Sequence, residues 1–231
     1  MNWDLINKIR RFFRISWLKS AYLNFYMLPF HQAFKFPIIV TKYTYFYSLS
    51  GKIIINAPVR FGMLRIGFLG EDVVVPKNER ALLQIEGNLI VGSNVRLGCG
   101  VIIRVEPNAV LKLCDDVRIG SKCRIIAYDS IVIGENSGIS WECQIMDSNM
   151  HDITEIHSGK TIKSGCEISI GSNNWIGTRT SVMKGCITPP YTIIAASSVC
   201  SRNYEKIPRY SILAGAPAKL VKTGYKRSDF K

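Results

Sequence analysis

The apolar positions of this 231-residue chain advance in steps of six from about residue 51 onward. An aliphatic residue followed by a small one recurs at Val91-Gly92, Leu97-Gly98, Ile119-Gly120, Ile133-Gly134 and Ile139-Ser140. The step resumes at Ile170-Gly171, Ile176-Gly177, Val182, Thr188, Ile194-Ala195 and Cys200. Four residues after such positions the side chain is small or β-branched: Val95, Val101, Val117, Cys123, Ser137, Cys143, Thr180, Cys186, Thr192 and Ser198. Three six-residue steps make one triangular coil of short parallel strands. The aliphatic residue fills the interior, the small residue lies beside it, and glycine tolerates the bend at the corner. Coils are predicted to begin near Val91, Leu113, Ile133, Ile170 and Thr188, with an imperfect early coil including Ile55, Phe61 and Ile85. Between Ile133 and Ile170 lie 37 residues, one 18-residue coil plus about 19 more. A loop of about residues 146–166 must therefore leave the coil after Ile145.

Residues 1–50 have a different texture. They hold 14 of the 24 aromatics, seven Lys or Arg, and a single acid, Asp4. From Trp3 to Trp17, Leu5, Ile6, Ile9, Phe12, Phe13 and Trp17 recur at helical spacing with Lys8, Arg10, Arg11 and Arg14 among them. A basic amphipathic helix of this kind packs on the protein or a neighbouring subunit, or lies as a peripheral element on an anionic membrane. The expected organisation is a segment 1–50, a coil domain 51–205, and a C-terminal cap with a basic tail, 206–231.

Charge narrows the partners. Thirty Lys and Arg against 17 acids give +13, which suits an anionic partner. No nucleic-acid module is present, so nucleic acid is not expected. Seven cysteines without framework spacing fit a reducing compartment. With no 18-residue apolar run and no signal-peptide pattern, the expected location is cytoplasmic, with the inner membrane face open to residues 1–50.

The six-residue register resembles that of the hexapeptide-repeat acetyltransferases, and the loop resembles their maltose, galactoside and colanic-acid O-acetyltransferase branch. The resemblance covers residues 51–221 and implies a mainly β fold, a left-handed parallel β-helix, assembled as a homotrimer. It implies acetyl-CoA as co-substrate, a carbohydrate acceptor, and no metal. In Asp147-Ser148-Asn149-Met150-His151-Asp152, His151 occupies the position of the family's catalytic base. Imidazole suits that task because it titrates near neutral pH and can accept a hydroxyl proton. Asp147, Asp152 or a backbone carbonyl could orient it, with Asp129 a further orienting or acceptor-side candidate. His157 lies farther along the loop, and His31 has no role.

The segment Asn174-Trp175-Ile176-Gly177-Thr178 resembles the family's Trp-Ile-Gly motif. The resemblance places Thr178 near the thioester, small Gly177, Ala195 and Ala196 along the pantetheine arm, and Trp175 as a wall beside His151. Arg202 and Lys219 are expected to meet CoA phosphates, while the tail with Lys222, Lys226, Arg227 and Lys231 is expected to be solvated. Thr188-Pro189-Pro190 departs from the family's Ile-Gly and stiffens a corner on the CoA side. The cysteines need no chemistry. The expected reaction is O-acetylation of a sugar hydroxyl in a surface polysaccharide or its precursor, by direct transfer. Alternatives are N-acetylation of a nucleotide amino sugar and a non-catalytic β-helical scaffold. A carbonic anhydrase on this fold would need three histidines, and only His151 and His157 are placed to serve.

Overall fold

Each aliphatic position of the six-residue step lies over its counterpart one coil away. A computed structural model describes residues 13–68 and 78–228. Among these, three sheets of nine, seven and six strands wrap one interior. In the six-stranded sheet, Ile55, Val91, Leu113, Ile133, Ile170 and Thr188 pair in sequence. In the seven-stranded sheet the ladder is Leu83, Ile103, Ile125, Ile145, Val182 and Cys200. In the nine-stranded sheet it is Val40, Ile66, Leu97, Ile119, Ile139, Ile176, Ile194 and Leu213. All of these pairings are parallel, and the described coils form the expected mainly β, parallel β-helix. The small positions named above are all buried, the thiols of Cys123, Cys143 and Cys186 among them. Burial pushes the Cys99 and Cys114 thiols up.

Corners set the remaining sequence rules. At the edge between the six- and nine-stranded sheets, Asn94, Asp116, Asn136 and Asn173 adopt the left-handed backbone that short polar side chains tolerate. Their side chains bond from coil to coil, Asn94 to Asp116 at 2.6 Å and Asn136 to Asn173 at 2.8 Å. Glycine is required where coils nearly touch: a Cβ on Gly171 would stand 2.6 Å from the Pro189 carbonyl carbon. The Pro189-Pro190 corner therefore stacks on the residue that best accommodates it.

Three expectations change. The coils begin at Ile38–Val40 and Thr44–Ser48, inside the segment assigned to the aromatic region. Tyr45 and Tyr47 face outward there, which hides the repeat behind aromatic residues. Phe61 is exposed and stacks on Trp17; Leu64 and Ile66 fill the interior instead. The amphipathic stretch from Trp3 falls mostly on residues 1–12, outside the described residues, and the helix seen is Trp17–Met27. Ser16 caps that helix by accepting from the Lys19 N–H.

The helix buries two polar side chains beside the core residue Leu23. Asn24 and Ser20 are fully buried. The Asn24 amide donates to the Ile38 carbonyl and accepts from the Ile38 N–H, and Ser20 Oγ accepts from the Val40 N–H. The ammonium of Lys19 donates to the carbonyls of Lys42 and Thr44. Polar side chains thus close the first rung, whose open edge would otherwise invite another strand. At the other end, the hairpin of Ser211–Gly215 with Ala218–Thr223 closes the last rung.

Candidate active site

The loop departs where the seven-stranded sheet turns toward the six-stranded one, and its neck is tightly tied. The carboxylate of Asp147 is fully buried and accepts from the N–H groups of Tyr128 and Asp129 at 2.7 and 2.9 Å. Burial raises its pKa, and those two N–H groups oppose the shift. Asn149 donates its N–H to Ser164, Cys166 donates to Asp147, and Ser148 bridges Gly165. Beyond the neck, Ile153–Thr154 and Thr161–Ile162 form a small hairpin.

His151 follows Met150, whose φ of 66° turns the chain outward. Every residue from 151 to 163 is exposed. Neither His151 nor His157 makes a hydrogen bond or ion pair with another described residue, so none of these competes for either imidazole. Asp152 is committed to the loop itself. It accepts from the Ser164 N–H at 2.7 Å and lies 3.3 Å from the Lys163 ammonium. The Ser164 N–H, followed by that ammonium, holds its carboxyl below the usual carboxylate range. Asp129 stands beside the neck, where a Cβ on Gly165 would come within 3.6 Å of its own Cβ. The structure thus gathers His151, Asp129, Asp147 and Asp152 at one edge.

Thr178 and Ala196 belong to a different edge, where the nine-stranded sheet turns into the seven-stranded one. They occupy equivalent places on consecutive coils, and Trp141 occupies the same place one coil earlier. Thr178 bonds through its hydroxyl to the Trp141 carbonyl at 2.9 Å. The N–H groups of Thr178 and Ala196 have no partner among the described residues. Gly177 is small for a structural reason as well: a Cβ would lie 2.5 Å from the Ala196 nitrogen. Each following residue on this edge, Lys122, Glu142, Arg179 and Ser197, takes the left-handed backbone. Arg179 pairs with Glu142 at 2.7 Å, which holds the Glu142 carboxyl below its ordinary range.

The ladder ends at the terminal hairpin. Ala195 donates to the Leu213 carbonyl and the Gly215 N–H donates to Ser198, so the hairpin underlies Ala195 and Ala196. Lys219, paired with Ala214, is exposed there. Tyr204, its phenol pushed up to about 12 by burial, donates to the Ala218 carbonyl. That bond ties the exposed Arg202 segment to the Lys219 hairpin. Pro189 and Pro190 lie on a third edge, away from Thr178 and Ala196.

Two residues stand apart from expectation. Trp175 lies on the nine-stranded sheet, with the Arg227 guanidinium 4.0 Å over its ring. The tail is therefore not simply solvated: Arg227 folds back onto the prism, whereas Lys231 is outside the described residues. Trp141, 40% exposed beside Thr178, was missed. Its signal was a large aromatic at a corner that holds Thr178 and Ala196 in the coils below. In a single chain the loop edge and the Thr178 edge bound opposite sides of one sheet. A strand of three or four residues spans about 10–13 Å between them.

No family model matches the chain. A probable acetyltransferase of Mycobacterium tuberculosis, Rv3034c, is 34% identical over 67% of this chain and 49% of its own length. The chain thus spans about half of that relative. The putative lipopolysaccharide biosynthesis O-acetyl transferase WbbJ of Escherichia coli K12 is 26% identical over 59% of this chain and 72% of its own length. The polysialic acid O-acetyltransferase of E. coli O1:K1 is 30% identical over 60% of this chain and 40% of its own length. The chain is thus similar in sequence to acetyltransferases, and its six-residue ladders are consistent with the hexapeptide-repeat family that its sequence resembles.

Proposed function

We propose that the protein is an acetyl-CoA-dependent O-acetyltransferase acting on a sugar hydroxyl of a surface polysaccharide or its precursor. The observation that carries this reading is the pairing of two features on one prism. One long excursion holds an exposed, uncommitted His151, and a neighbouring edge holds the uncommitted N–H groups of Thr178 and Ala196. The names of the E. coli relatives, one for lipopolysaccharide and one for polysialic acid, support the acceptor class.

His151 accepts the proton of the acceptor hydroxyl as that oxygen attacks the thioester carbonyl. The new C–O bond forms, the C–S bond breaks, and the departing sulfur takes up the proton that His151 received. The Thr178 N–H donates to the carbonyl oxygen as negative charge develops on it. Trp141, Thr178, Ala196 and Gly215 form successive rungs about 4.8 Å apart, along which an extended pantetheine arm can lie. Arg202 and Lys219, at the end of that ladder, meet the nucleotide phosphates. Trp141, rather than Trp175, supplies the aromatic wall of this edge.

The two halves stand on different edges of one chain, so a homotrimer completes the site: the loop of one protomer meets the Thr178 edge of its neighbour. The reaction is placed in the cytoplasm, where the free thiols are stable. Acetyl-CoA turnover against free sugars, nucleotide sugars and lipid-linked oligosaccharides tests the reading. Turnover on a carbohydrate hydroxyl is expected. Transfer only to an amine, or none to any acceptor, would contradict it.

A further inference from the structure

The helix Trp17–Met27 buries Leu23 but leaves many of its apolar side chains outside. Its polar Ser20 and Asn24 are buried against the first rung, while Leu18, Tyr22 and Tyr26, spaced four apart, form one outward stripe. Leu18 is 84% exposed. Trp17 and Phe25 flank the stripe, and the short helix Phe30–Ala33 adds Phe30 and Phe34. These aromatics organise one another: Tyr22 stacks on Tyr26 at 5.3 Å, and Phe25 meets Phe34 edge-on at 5.3 Å.

The exposed apolar residues do not stop at the helices. Tyr45 and Tyr47 leave the first strand of one sheet, Ile54 leaves the first strand of another, and Phe61 lies at the corner leading to the third. They surround one end of the prism rather than one side. A second prism packed edge to edge would cover only part of this ring, whereas a surface across the prism axis meets all of it.

Charge says which surface. Residues 5–70 contain no Asp or Glu and ten Lys or Arg. Lys35, Lys42, Lys52 and Arg60 are exposed within this end. Two copies placed face to face would oppose cation to cation. An aromatic stripe with cations around it matches the boundary between lipid headgroups and acyl chains, where Tyr and Trp rings sit.

We propose that the N-terminal end of the prism docks on an anionic lipid bilayer, through Leu18, Tyr22, Tyr26, Phe30 and Phe34, with the surrounding cations facing the headgroups. The contact is peripheral, since no helix among the described residues is long and apolar enough to cross a membrane. It holds the prism upright on the membrane and stands independently of the role given to His151.

Flotation of the full chain with vesicles of phosphatidylcholine, alone or with phosphatidylglycerol, tests this. Binding is expected to the anionic vesicles and to weaken in high salt. The double variant Leu18→Glu/Tyr26→Glu should lower partitioning by about tenfold or more, with its melting transition and oligomeric mass unchanged. Emission of the wild-type tryptophans should also be quenched by brominated lipid, a readout that needs no variant. Absence of flotation and quenching, equal binding to both vesicles, or a double variant that floats like wild type would overturn the proposal. A variant that folds but loses its oligomeric mass would assign the face to contacts between copies instead.

Discussion

The stacked coils and the excursion over residues 147–167 follow opposite rules. In the coils, Ile125 sits between Ile103 and Ile145 with no exposed surface, and its identity is dictated by what lies above and below. In the excursion, residues 151–163 are all exposed, and the path is held by a few polar ties at the neck. A residue in a coil is chosen for volume, and its replacement is felt as stability. A residue beyond the neck supports no packing, so its identity is free to serve chemistry. The comparison teaches that His151 and the interior isoleucines should fail in different ways when changed.

The largest effect should come from His151→Ala. Loss of a general base lowers acetyl-transfer rates by roughly 10²–10⁴-fold, and the melting transition should stay at its wild-type position. His157→Ala, in the same loop, should cost much less. Rate measurements in which His157→Ala abolishes turnover and His151→Ala spares it would reverse the assignment.

Ile125→Ala sharpens the other side. Truncating a buried isoleucine should remove about 2–5 kcal/mol of stability, read by denaturant unfolding at fixed protein concentration. The folded fraction should still bind acetyl-CoA. A cost typical of surface sites would mean that the coils are not packed as described.

These contrasts also explain what the sequence made legible. The coil starts at Val91, Leu113, Ile133, Ile170 and Thr188 could be read directly, because each interior slot accepts one size and the step repeats. The loop could be read as the excess over one coil. The first coil could not, since Thr44 and Phe46 alternate with outward Tyr45 and Tyr47 and blur the register. Nor could the buried polar residues of the helix be read: burial of Ser20 and Asn24 satisfies backbone groups of Ile38 and Val40, a demand that appears only once the rung exists. Asp147 could be placed at the loop but not assigned its work, because its partners Tyr128 and Asp129 lie one coil earlier. The Arg227 contact with Trp175 likewise joins residues with no shared periodicity.

A smaller effect is expected at the end of the ladder. Arg202→Ala and Lys219→Ala should each weaken acetyl-CoA binding by roughly 1–3 kcal/mol, and discrimination against dephospho-CoA should fall in at least one. Calorimetry showing wild-type affinity and wild-type discrimination in both would remove these residues from the phosphate site.

The smallest effect concerns the loop alone. The pKa of Asp152 is lowered in the folded loop, so its stabilising tie is fully present above the unfolded value of about 3.9 and is lost as pH falls through the lower folded value. Amide exchange within 147–167, compared with Asp152→Asn at each pH, should differ near neutral pH and converge in acid. Profiles that coincide at every pH would show that the tie contributes nothing.

The central claim is that one protomer's His151 works with its neighbour's Thr178 edge. It is tested most directly by mixing two inactive proteins, His151→Ala and Ala196→Trp, the second with its ladder blocked by an indole. After dissociation and reassembly together, native mass spectrometry should show mixed trimers, and turnover should return, because some sites then combine an intact loop with an intact edge. Mixed trimers that form and remain as inactive as their parents would contradict the account.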